Sequence, residues 1–166
     1  LIEGNHSHRL VRWIKSKGPE LEGILSLPKL LDLNDLTINY IPYGPYQRYM
    51  PFSSGPIIRH EPMVGGRSPC LGTIEKASHS VIFGHIHRMQ SAHMVTIDGR
   101  QLYSYSVGCL CDIEHPVFSY VKNHHQWQQG FCILTEINNQ VYVDNIQISR
   151  KKSRSACKYG EFIYEG

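Results

Sequence analysis

Apolar and polar positions alternate along this chain with two different periods, and the period changes several times. From His8 to Lys17, Leu10, Val11, Trp13 and Ile14 recur at helical spacing, and Gly18-Pro19 ends the run. Glu20 to Leu25 reads as a second short helix, and Pro28 starts a third that reaches Leu31. Thr37 to Tyr43 alternates and contains β-branched residues, which predicts a strand. The stretch from Gly44 to Gly55 is rich in Pro, Tyr and Ser and predicts a surface loop. Ile57-Ile58 predicts a short buried strand that delivers His60. Cys70 to Ala77 fits a helix, and Ser80 to Phe83 a strand that delivers Gly84-His85.

The second half is dominated by strands. Met94 to Ile97 and Gln101 to Val107 flank Asp98-Gly99, a strong hairpin signal. Phe131 to Ile137 and Val141 to Ile148, joined through Asn138-Asn139, predict a second hairpin. Between the two hairpins lies a long irregular connection, the kind of segment that often carries function. There is no internal repeat. One domain is expected over residues 1–149, followed by a basic tail over 150–166 in which Arg150, Lys151, Lys152 and Arg154 gather. Helices interleaved with strands predict an α/β layered fold.

Composition narrows the class. An apolar fraction of 41% and a charged fraction of 19% fit a folded globular chain rather than a disordered one. No apolar run reaches the length of about eighteen residues that a membrane helix needs, and Leu1-Ile2-Glu3-Gly4 does not resemble a signal peptide. A net charge of +3 does not by itself argue for nucleic acid. Five irregularly spaced cysteines (Cys70, Cys109, Cys111, Cys132 and Cys157) predict free thiols in a reducing compartment, hence a cytoplasmic protein. The chain begins without Met, and Ile2 leads into Gly4 as the tail of a strand does, so it is expected to start inside a fold.

Three junctions between predicted strands and loops carry candidate chemistry: Gly4-Asn5-His6, His60, and Gly84-His85-Ile86-His87. Ligand sites in α/β layers form where strand ends present side chains to one crevice. On an extended backbone His85 and His87 share a face, so both imidazoles can serve one cluster. Asn5 offers an amide oxygen, a neutral ligand acceptable to Mn, Fe or Zn ions. Arg9, Arg59 and Arg88 adjoin these motifs and are candidates for holding phosphate oxygens. Cys109-Leu110-Cys111 has no second close pair to complete a zinc site.

The order Gly-Asn-His, isolated His, Gly-His-x-His resembles the calcineurin-like metallophosphoesterases, and Gly108-Cys109-Leu110-Cys111-Asp112 is similar to phage and prophage members. The resemblance implies an αββα sandwich, two sheets flanked by helices, of which this chain is the C-terminal portion. It implies two divalent ions drawn from Mn, Fe, Ni or Zn. Asn5, His60 and His85 would bind one ion and His87 the other, while His6 would act catalytically on the leaving oxygen. The implied activity is hydrolysis of a phosphoester, with a phosphodiester of nucleic acid or a nucleotide as the leading substrate class. The family's Asp-x-His and Gly-Asp motifs are absent, and Ser7 stands where the family places a carboxylate. Two alternatives follow: a non-catalytic interaction domain on the same fold, or a chain that needs an N-terminal segment or a second chain to supply the missing ligands.

Overall fold

The computed structural model describes residues 1–151 and 154–166; Lys152 and the side chain of Lys151 from the expected basic tail lie outside the described residues. Two compact units divide the chain, Leu1–Tyr49 and Met50–Gly166. The division falls inside the segment 1–149 that the sequence suggested as one domain.

The first unit is mainly helical and irregular. Helix α1 spans Arg9–Lys17 and buries Ile14, with Gly18 closing its last turn. A short 3-10 turn at Pro19–Leu21 replaces the helix expected over 20–25, because Gly23 at φ 81° interrupts the helical backbone. Helix α2 spans Leu27–Leu30, with Pro28 in its first turn. The strand expected at 37–43 does not form. Thr37 takes a left-handed φ of 55°, and among the described residues the segment's bridge is a parallel one from Ile41 to Ile2. An extended segment with one bridging partner cannot propagate a ladder.

One buried carboxylate organises this unit. Glu3 is almost fully enclosed, and its Oε2 accepts from the Tyr40 hydroxyl and the Tyr43 amide, each at 2.8 Å. Gln47 donates to the Glu3 carbonyl at 2.8 Å, and His8 Nδ1 stands 3.7 Å from Glu3 Oε1. Burial, then the hydrogen bond to Glu3 and its negative charge, push the Tyr40 hydroxyl well above its ordinary range.

The second unit holds two four-stranded sheets. Strands β1 (Ile57–Arg59), β2 (Val81–Phe83), β3 (Met89–Val95) and β4 (Gln101–Val107) form the first, in the order β1-β2-β4-β3. The Val-Ile-Phe run of β2 is wholly buried and lies between two parallel neighbours, β1 and β4. Helix α3 (Pro69–Ala77) makes the crossover from β1 to β2 that parallel pairing requires. Pro69 opens it, Ser78 in the left-handed region closes it, and Pro69, Cys70, Thr73 and Ile74 form its buried face. Cys70, Val81 and Phe83 make the core, with Ala77, Ile86 and Ala92 packed around them.

Strands β5 (Gln129–Ile137), β6 (Gln140–Lys151), β7 (Arg154–Tyr159) and β8 (Phe162–Glu165) form an antiparallel meander. Asn138 and Asn139 both take left-handed φ, 52° and 61°, which is what a two-residue hairpin turn between Ile137 and Gln140 demands. Residues 150–166, expected as a solvated tail, instead contribute the end of β6 and the strands β7 and β8. Arg150 pairs with Ser155 in the ladder while its side chain donates to Asp112 Oδ1 at 2.5 Å. A cluster of basic residues looks the same in sequence whether it lies on a solvated tail or along a strand, and only the pairing partners separate the two. The two sheets touch where β4 meets β5 and β6, with Asn145 Nδ2 donating to the Ser106 carbonyl at 3.1 Å.

The chain is therefore mixed α/β with two sheets and few helices. Among the described residues no helix is long and apolar enough to cross a membrane.

Candidate functional site

Parallel register decides what lies side by side at the end of the first sheet. Arg59 pairs with Phe83, and Phe83 with Ser106, so the C-terminal ends of β1, β2 and β4 finish together. The residues that follow, His60-Glu61 and Gly84-His85, leave the sheet at one edge. That edge is where open α/β sheets place ligand crevices. Gly84 N donates to the His60 carbonyl at 3.1 Å, which ties the two exits together beyond the last strand pair.

The imidazoles of His60 and His85 meet there. Their rings stand edge to face with centroids 5.2 Å apart, and His85 Nδ1 is 3.3 Å from His60 Nε2. The same His85 nitrogen lies 3.6 Å from Glu61 Oε1. His85 is thus the shared member of a His-His-Glu cluster, and about one third of its side chain and of Glu61's stays open to solvent. Glu61 escapes a reading of the sequence. Its only signal is adjacency to His60, and strand alternation would send it to the opposite face.

His85 and His87 do not follow the extended geometry expected of them. Both have left-handed backbone, φ 64° and 56°, and Ile86 N closes a tight turn onto the Gly84 carbonyl at 2.7 Å. The face-sharing rule for alternate residues therefore does not apply, since it holds only on pleated backbone. The two rings have different neighbours. The His87 ring sits edge-on to Trp127 with centroids 4.1 Å apart, and Phe118 packs on the same indole. The His87 carbonyl accepts from Gln128 N at 2.7 Å, and Gln128 Oε1 accepts from Met89 N at 2.8 Å, so Gln128 braces the turn on both sides. Left-handed φ costs a non-glycine residue of order 1–3 kcal/mol, and paired instances of that strain cluster at functional sites.

The remaining candidates divide between the units. Asn5 and His6 lie in the turn that precedes α1, Asn5 half-buried and His6 exposed, and Arg9 is the exposed first residue of that helix. All three belong to the first unit. Arg59 and Arg88 flank the cluster in sequence and are half-buried. Arg59 Nε is buried with no hydrogen-bond partner among the described residues.

A divalent ion asks for nitrogen and oxygen donors at set spacing. Bonds of about 2.0–2.1 Å in tetrahedral array put donor atoms about 3.3 Å apart. The His60–His85 separation meets that spacing, and the His85–Glu61 separation is slightly longer. Two imidazoles and a carboxylate suit Zn, Mn, Fe or Ni ions. Among the described residues no three His, Cys, Asp or Glu side chains already enclose a single point. The cluster is a chain of pairs through His85, and Glu61 must turn toward both rings to close it.

No family model matches the chain, and no curated protein or solved structure matches it either. The fold and the cluster at its sheet edge define a mixed α/β protein with a histidine-carboxylate site.

Proposed function

We propose that this chain is a metal-dependent phosphoesterase built on a calcineurin-like arrangement of two sheets, acting on a phosphodiester of nucleic acid or a nucleotide. The observation that carries the proposal is the 3.3 Å approach of His85 Nδ1 to His60 Nε2, made from a His85 held at left-handed φ. Strain of that kind persists when the surroundings impose it, and here it aims an imidazole at a second imidazole.

We confine the proposed centre to side chains of the second unit. His60, His85 and Glu61 would hold a divalent ion, with Glu61 supplying negative charge that imidazole ligands lack. His87, fixed by Trp127 and Gln128, would supply the second imidazole of the Gly-His-x-His motif to a second ion. Bound divalent ions supply Lewis acidity toward the phosphoryl oxygens and lower the pKa of water at the site. The half-buried Arg59, next to His60 in sequence, is the proposed guanidinium contact for a phosphate oxygen. Partial exposure of His85 and Glu61 leaves an approach for substrate.

The test is a metal titration of metal-stripped protein by calorimetry with Mn and Zn, alongside hydrolysis of bis(p-nitrophenyl) phosphate. Stoichiometric binding and metal-dependent turnover are expected. His85→Ala should weaken binding by more than about 100-fold, beyond the 10–100-fold typical of outer-shell partners, and should abolish turnover. Wild-type protein that binds no stoichiometric metal and hydrolyses no diester would overturn the proposal for this chain, leaving the non-catalytic domain or the chain that needs added ligands.

A further inference from the structure

We propose that Cys109 and Cys111 are a reversible dithiol/disulfide couple, a modification site oxidised by small-molecule disulfides of the glutathione class. The Cys111 thiol is 3.4 Å from the Cys109 sulfur, and both residues are half-buried, so a small reagent can reach them. Cys70, by contrast, is buried in the core.

The two cysteines are held differently. Cys109 is fixed by its backbone: its N donates to the Gln128 carbonyl and its carbonyl accepts from Gly130 N, both at 3.0 Å. Cys111 lies two residues on, past the exposed Leu110, and is tethered through its carbonyl by Gln129 Nε2 at 2.8 Å. Closing a disulfide needs the sulfurs at about 2.05 Å, so the approach falls to the Cys111 side of the pair. A disulfide across one intervening residue is strained, and strained, accessible disulfides are the readily reduced ones. Disulfides in reducing compartments are of that transient kind.

The chemistry balances in two exchanges. Cys111 attacks the small disulfide, forming a mixed disulfide and releasing one small thiol. Cys109 then attacks the Cys111 sulfur; the Cys109–Cys111 bond forms, the mixed bond breaks, and the second small thiol leaves with the Cys109 proton. The protein loses two electrons and two protons, and the small disulfide gains both. Burial, with the hydrogen bond and charge of Cys111, pushes the Cys109 thiol up to about 12, so its thiolate is scarce and ring closure by Cys109 is the slow exchange.

Trypsin cuts after Arg100 and Lys122, and the peptide between them contains Cys109 and Cys111 and no other cysteine. The full chain is equilibrated with mixtures of oxidised and reduced glutathione, alkylated, digested and weighed. The expected peptide has lost two hydrogens, resists alkylation and recovers both thiols with dithiothreitol. Cys109→Ser should stop at one glutathione adduct on Cys111. A peptide that stays fully alkylated in excess oxidised glutathione, that carries two stable adducts, or that is linked to another cysteine peptide would overturn the proposal. The readout is a mass, so its failure is separate from any failure of hydrolysis.

Discussion

Gly108→Ala is the sharpest test of how the candidate site is braced. Gly108 follows β4 at φ 73°, and a Cβ there would stand 2.5 Å from the Gln128 carbonyl oxygen and 3.2 Å from Met89 Cγ. Gln128 is the residue that braces the His87 turn. A left-handed alanine costs about 1–2 kcal/mol. Forcing a methyl against a fixed carbonyl adds about 1–3 kcal/mol, and the stiffer unfolded chain returns about 0.4–1 kcal/mol. The net loss is about 1–5 kcal/mol, centred on about 3 kcal/mol. Gly99→Ala is the matched control: its φ is 82°, yet nothing lies within 4 Å of the added Cβ. It bears only the backbone cost, about 1 kcal/mol after the unfolded-state return. Urea unfolding followed through Trp127, in a Trp13→Phe background, reads both variants in the second unit. With slopes of about 1–3 kcal/mol/M, the two midpoints should differ by about 1 M. Midpoints that coincide would refute the close approach of Gly108 to the Gln128 carbonyl.

Phe83→Ala should cost about 3–5 kcal/mol in the same unfolding assay, because Phe83 is 1% exposed and packs on Cys70 and Val81; Ile97→Ala, at a fully exposed position, should stay within about 0.5 kcal/mol of wild type. Asp112 is held below the usual carboxylate range, chiefly by its hydrogen bond from Arg150. Its contribution is therefore present above the unfolded value of about 3.9 and fades as pH falls through the folded value. Urea midpoints measured from neutral to acid should decline less steeply in Asp112→Asn than in wild type, and an unchanged slope would remove the pair from the acid response.

The elements legible in the sequence are those whose signal is local. Asp98-Gly99 and Asn138-Asn139 specify their turns through residues that tolerate positive φ, so residue identity alone locates both hairpins. Helix α3 and strand β2 are equally open, through Pro69 and a continuous apolar run. The strand expected at 37–43 fails because β structure depends on a partner, and the partner here is a single bridge to Ile2. The His60–His85 meeting is legible as two strand exits, but the left-handed turns at His85 and His87 are not. No sequence period encodes a backbone reversal whose contacts with Gln128 and Trp127 come from much further along the chain. Glu61 is hidden for the same reason: its approach to His85 exists only once β1 and β2 are parallel and in register.

The carboxylate at Glu3 has a genetic corollary. It immediately precedes Gly4-Asn5-His6, yet its partners Tyr40 and Tyr43 come from the far end of the same unit, 37 and 40 positions along. Alleles at Tyr40 or Gln47 should therefore phenocopy lesions in the Gly-Asn-His turn, and second-site suppressors of Glu3→Gln should be recovered in that distant stretch.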